Sequence, residues 1–148
     1  MTETPSLNAD TEMQQMLVDS ARRWAERACT PAQRALASGH ATGCPPERWR
    51  ALAELGWLGI ALPEADGGLG AGLPEQCLLA EQLGRALLVE PFVASAVLGS
   101  GLLDRVAEGP VRERWLPALA TGERRVVWAA WEPDGDATLR ALSARAIR

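Results

Sequence analysis

Four glycines fall within six positions in Gly67-Gly-Leu-Gly-Ala-Gly72, a loop composition that can cradle phosphate. A dinucleotide loop needs G-x-G-x-x-G after a strand, and a Walker loop needs Lys. Here Gly68 and Gly70 are followed by Gly72 and Leu73, and the chain has no Lys. The spacing suits a tight crossing between two helices, with backbones in close approach and glycines in left-handed conformations. His40, the single histidine, lies in the break Gly39-His-Ala-Thr-Gly43 and reads as a solvated loop residue rather than a catalytic base. Glu132 and Asp134 stand two apart, as an acid/base pair can. Turns also attract Asp for its backbone hydrogen bonds, and a turn is the preferred reading. Cys29, Cys44 and Cys77 are odd in number and lack a C-x-x-C pair, which points to free thiols in a reducing cytoplasm. No metal-ligand set and no catalytic residue emerges.

Two further patterns admit a ligand. Trp128 and Trp131 flank the end of an expected strand beside the polar turn 132–136. Aromatic rings there either pack in a core or line a planar ligand. The segment 92–103 is rich in small residues: Ala94, Ser95, Ala96, Gly99, Ser100 and Gly101. Small residues let helices pack closely, or leave a groove in which an acyl chain lies.

The elements that must position these residues are mostly helical. The chain has 148 residues and is 47% apolar, enough for one domain with a core. Its net charge of −4 argues against a nucleic-acid surface. The longest run of low polarity, Pro91–Leu103, falls short of the about 20 residues that span a bilayer. No basic-then-apolar leader opens the sequence.

Thr11-Glu-Met-Gln14 has capping-box spacing and predicts a helix start, followed by a stripe of Met13, Leu17, Ala21, Trp24 and Ala28. Pro31 bends or ends this helix. Pro45-Pro46 opens the next, which Gly56 closes; Trp57–Leu62 reads as a buried connector. Leu73-Pro74 starts a central helix with one stripe of Cys77, Ala80 and Gly84 and another of Leu79, Leu83 and Leu87. A helix over Phe92–Val106 and one from Val111, with a fresh turn at Pro117 and an end at Thr121-Gly122, complete the helical part. Val126–Trp131 carries a strand signal. The expectation is all-α: an up-and-down bundle of about five helices followed by a short C-terminal strand segment. A lone strand lacks ladder partners, so its neighbours are expected in other polypeptide.

Taken in order, these residues resemble the N-terminal helical domain of the acyl-CoA dehydrogenase family. The resemblance runs through Glu54-Leu-Gly-Trp-Leu-Gly-Ile-Ala-Leu-Pro-Glu64, Gly67-Gly-Leu-Gly70, Ala80-Glu-Gln-Leu-Gly-Arg85, Glu90-Pro-Phe92, Arg114-Trp-Leu-Pro117, Ala120-Thr-Gly-Glu123 and Glu132-Pro133. It is similar in particular to the small-subunit, pimeloyl-CoA dehydrogenase-type branch. The resemblance implies a flexible N-terminus over 1–10, the helical domain over 11–123, and the start of a truncated β domain over 124–148. It implies FAD as cofactor and α,β-desaturation of an acyl-CoA thioester. Partners follow in the same way: a homo-oligomer or a hetero-oligomer with another dehydrogenase subunit, and an electron-transfer flavoprotein. Trp128, Ala130 and Trp131 match the family's flavin-contacting strand end, with Trp131 in place of the motif's Thr and Ala137 where a hydroxyl is usual. Ala94, Ser95 and Leu98 match the pocket-facing places of its acyl-lining helix. The family's catalytic Glu belongs to a C-terminal domain that these residues do not include, so the chain alone is expected to be inactive. A reading of another class is a non-catalytic helical module that pairs with a full-length dehydrogenase subunit, docking through its strand edge.

Overall fold

The computed structural model describes residues 7–129. Six α-helices follow one another: α1 (Leu7–Ala28), α2 (Pro31–Gly39), α3 (Pro46–Glu54), α4 (Leu73–Arg85), α5 (Ser100–Val106) and α6 (Gly109–Ala120). Two single 3-10 turns, Trp57–Gly59 and Glu64–Asp66, lie between α3 and α4. A π-helical segment, Phe92–Gly99, leads into α5. The all-α class is as expected. No strand occurs among the described residues; 124–129 are irregular, and the rest of the expected strand lies outside them.

α1 begins before Thr11, so the Thr11–Gln14 spacing does not mark its start. The capping box in use is at Thr30, whose Oγ1 accepts from the Gln33 N–H at 3.3 Å while Gln33 Oε1 accepts from the Thr30 N–H. With Pro31 at the first helical position, this cap ends the continuity of α1 and starts α2. Pro117 opens no fresh turn and lies inside α6. A proline removes one backbone donor, and the turn around it persists: the Thr121 N–H and Oγ1 both donate to the Pro117 carbonyl at 3.0 Å.

α1 packs most extensively against α4. Between them and α3 lies the main core of Ala21, Trp49, Leu52, Trp57, Leu58, Leu79 and Leu83. Trp24 meets Trp57 edge-on, with ring centroids 5.4 Å apart. Fully burying each such leucine contributes about 1.5–3 kcal/mol. Leu79 and Leu83 hold the core stripe of α4 as expected, whereas Cys77 is exposed. Leu87 is exposed too, just past the helix end at a φ of 55°.

The glycine loop folds back over the buried connector. The amides of Gly67, Gly68, Leu69, Gly70 and Ala71 donate to the carbonyls of Glu64, Pro63, Gly59, Leu62 and Ile60. The Gly72 N–H donates to Glu75 Oε2 at 2.9 Å. No amide of this loop is left for a phosphate. A Cβ on Gly68 would stand 2.1 Å from the Leu62 carbonyl oxygen, so only glycine allows the crossing.

Candidate functional site

The π-helical segment begins at a buried ion pair. Glu90 is 4% exposed, and the half-buried Arg48 of α3 grips it with two donors, Nε to Oε1 and Nη2 to Oε2 at 3.2 Å. Arg48 Nη1 also donates to the Ala28 carbonyl at 2.7 Å. One guanidinium therefore joins the end of α1, the start of α3 and the approach to Phe92. The hydrogen bond that Arg48 donates to Glu90 raises the Arg48 pKa above its ordinary value, against the opposing effect of burial.

Past Pro91 the helix widens. In a π-helical turn the backbone bond reaches five residues, and such turns are frequent at functional sites. The Ser100 N–H bonds the Ser95 carbonyl, and Ser100 Oγ donates to the same oxygen at 3.0 Å. From α4, Gln76 Nε2 donates to the Ala96 carbonyl at 3.3 Å, a buried bond. Side chains thus supply donors to the carbonyls of the widened turns.

The small residues of this segment face two different sides. Inward, Ser95 is 1% exposed and its Oγ accepts from the Val126 N–H at 3.2 Å. Gly99 abuts the same residue; a Cβ there would lie 2.5 Å from the Val126 carbonyl oxygen. Outward, Ala94 lines an apolar hollow of about 190 Å³ with Leu83, Leu88 and Phe92. Leu98 is exposed, as are Val93 and Leu102. A second hollow of about 240 Å³ is lined by Leu62, Leu73, Gln76, Ala96 and Gly101.

Of the residues expected near flavin, Trp128 is exposed and lies two positions beyond Val126, the residue held by Ser95. Ala130 and Trp131 lie outside the described residues, as do Glu132 and Asp134. His40 is exposed, its ring paired with Thr42 Oγ1 at 3.0 Å. Cys29 and Cys44 are buried free thiols whose pKa values burial pushes up; Cys77 is free and exposed. No cluster of His, Cys, Asp and Glu suited to a metal occurs among the described residues. No described helix is long and apolar enough to cross a membrane. Sequence reasoning missed Arg48 and Gln76, whose partners are 42 and 20 residues away.

Residues 11–123 match the family model of the acyl-CoA dehydrogenase N-terminal domain. The chain belongs to the acyl-CoA dehydrogenase family. Acyl-CoA dehydrogenase FadE12 of Mycobacterium tuberculosis is 33% identical over 105 residues, covering 69% of this chain and 26% of that protein. The ChsE4–ChsE5 complex from Mycobacterium tuberculosis superposes with a TM-score of 0.70 at 29% identity, covering 84% of this chain and 33% of the matched one. An acyl-CoA dehydrogenase complexed with FAD from Bacillus anthracis gives a TM-score of 0.76 at 25% identity, covering 84% and 21%. The chain thus spans about a quarter of the curated relative's length, and this acyl-CoA dehydrogenase fold carries the N-terminal helical part.

Proposed function

We propose that these residues form one wall of the catalytic cleft of an FAD-dependent oxidoreductase that desaturates an acyl-CoA between Cα and Cβ. The observation that carries this reading is the exposed apolar face at Ala94, Leu98 and Leu102, on a segment bonded through Ser95 to the backbone that leads to Trp128. In this proposal Ala94 and Leu98 line the acyl chain, and Ser95 places the lining rather than touching substrate. The exposed Trp128 indole fits the flank of a planar ring, with Ala130 and Trp131 beyond it. The glycine loop does not fit phosphate, because its amides are all bonded within the chain. FAD, when bound, accepts the hydride leaving Cβ; the carboxylate that removes the Cα proton belongs to the C-terminal domain of the family fold. Residues 11–123 act as the helical domain and 124–148 as the entry to a β domain, in a cytoplasmic homo- or hetero-oligomer that passes electrons to an electron-transfer flavoprotein.

The test is reconstitution. The 148-residue chain is purified alone and after co-expression with polypeptide bearing the β and C-terminal domains of a relative. Each sample is titrated anaerobically with acyl-CoA thioesters of graded length while flavin absorbance is followed. The expected result is a colourless lone chain and a yellow complex bleached by substrate, with Leu98→Trp shifting preference to shorter acyl chains. A lone chain that holds flavin and bleaches, or a complex whose chain-length preference ignores Leu98→Trp, overturns the proposal.

A further inference from the structure

A cavity of about 440 Å³ opens where the C-terminal ends of α1 and α4 meet the first turn of α2. It shares no lining residue with the two hollows beside the π-helical segment. Its size lies within the range of small-molecule sites, about 300–1,000 Å³. Three arginines line it, Arg22, Arg34 and Arg85, against one acidic residue, Glu26. On a chain with a net charge of −4, such a local excess of positive charge stands out. Arg34 Nη1 donates to the Cys29 carbonyl at 2.6 Å, which fixes the orientation of its planar fork. Arg85 meets Glu81 at 3.0 Å on the surface, and Arg22 has no ion pair among the described residues.

The lining also offers a neutral amide. Gln82 lines the cavity, is only 8% exposed, and makes no side-chain hydrogen bond among the described residues. Its amide atoms are not among the sealed polar atoms that lack a partner, so they are open to the cavity and can meet a polar group there. Around it the floor is apolar, with Cys29 buried beside it.

We propose that this cavity binds a small organic anion, a carboxylate or phosphate monoester. Its charged oxygens sit on Arg22 and Arg34, and a polar group of its body meets the amide of Gln82. The guanidinium fork matches the paired oxygens of either head group, while the apolar floor takes the carbon skeleton. The site does not depend on the acyl and flavin reading above.

The experiment is a calorimetric titration of the protein with inorganic phosphate, with citrate and with uncharged glycerol. It is repeated on Gln82→Leu, Arg22→Gln and, as a control on an exposed arginine outside the cavity, Arg50→Gln. Saturable binding of at least one anion is expected, weakened about tenfold by either cavity substitution and unchanged by Arg50→Gln. The anion that binds distinguishes phosphate from carboxylate recognition. Absence of saturable binding by both anions overturns the proposal, as does equal weakening by Arg50→Gln and Arg22→Gln, which marks a diffuse charge effect. Should Gln82→Leu fail to fold by circular dichroism, the exposed Arg22→Gln decides alone.

Discussion

The bundle of α1, α3 and α4 and the segment from Phe92 to Val106 draw on the same residue types and use them in opposite ways. In the bundle, Leu52, Leu58, Leu79 and Leu83 are at most 2% exposed, and tryptophans fill the gaps between them. Along the segment, Val93, Leu98 and Leu102 stay in solvent while the buried side, after Phe92 at its start, carries serine, alanine and glycine. The bundle holds itself together. The segment is held from behind, by Arg48 at its start, Gln76 in its middle and Val126 against its end. A surface fixed that firmly while its apolar face stays uncovered is organised for something that lies against it.

The sharpest way to break this contrast is at the joint between the two regions. Arg48→Met leaves the Glu90 carboxylate buried without its partner, and unfolding in urea is expected to show a loss of about 3–5 kcal/mol. Adding Glu90→Leu removes the stranded charge and is expected to recover most of that loss. A single-variant cost below about 1 kcal/mol would mean that the ion pair does not fasten the segment to the bundle.

Next in size is the contrast between matched leucines. Leu79→Ala empties a fully buried site, and the expected cost is about 2–5 kcal/mol. Leu98→Ala truncates a half-exposed side chain and is expected to change stability by no more than about 0.5 kcal/mol. Parallel urea curves settle it; similar costs at the two positions would show that Leu98 is part of the core.

How much of this was legible follows from how far each interaction reaches along the chain. The crossing at Gly67–Gly72 was readable because its constraint is local: glycines beside a buried apolar connector leave few backbone paths. The Thr30–Gln33 capping box is equally local, but the same spacing recurs at Thr11–Gln14, within a helix already under way, so spacing alone does not tell the two apart. The widening over Phe92–Gly99 was not readable from a uniformly small, apolar stretch. It depends on donors from Gln76 and Ser100 and on the close approach of Gly99 to Val126. Ala94, Ser95 and Leu98 were singled out together through resemblance. Periodicity alone does not separate Ser95, turned inward to Val126, from its two exposed neighbours.

A smaller effect tests the link between the segment and the residues before Trp128. Ser95→Ala removes the acceptor of the Val126 N–H, and a loss of about 1–2 kcal/mol is expected. The more telling readout is local: hydrogen exchange at Val126 is expected to accelerate while amides of α1 and α4 keep their protection. Uniform acceleration across the bundle would instead make Ser95 a general core residue.

The smallest effect lies inside the bundle and depends on pH. Glu75, in the first turn of α4, accepts from Gln14 Nε2 of α1 at 2.7 Å and from the Gly72 N–H at 2.9 Å. The Gln14 bond is the main cause that lowers its pKa below the ordinary 4.5, with burial opposing. A lowered carboxyl binds fewer protons folded than unfolded, so stability rises with pH between the two values. The contribution is fully present above 4.5 and is lost as pH falls through the folded pKa. Gln14→Ala is expected to cost about 1 kcal/mol at pH 7. Denaturation curves from pH 7 to pH 3 are expected to bring the variant and the parent together at the acid end. A gap that stays constant down to pH 3 would assign the role of Gln14 to packing of α1 on α4 rather than to the charge of Glu75.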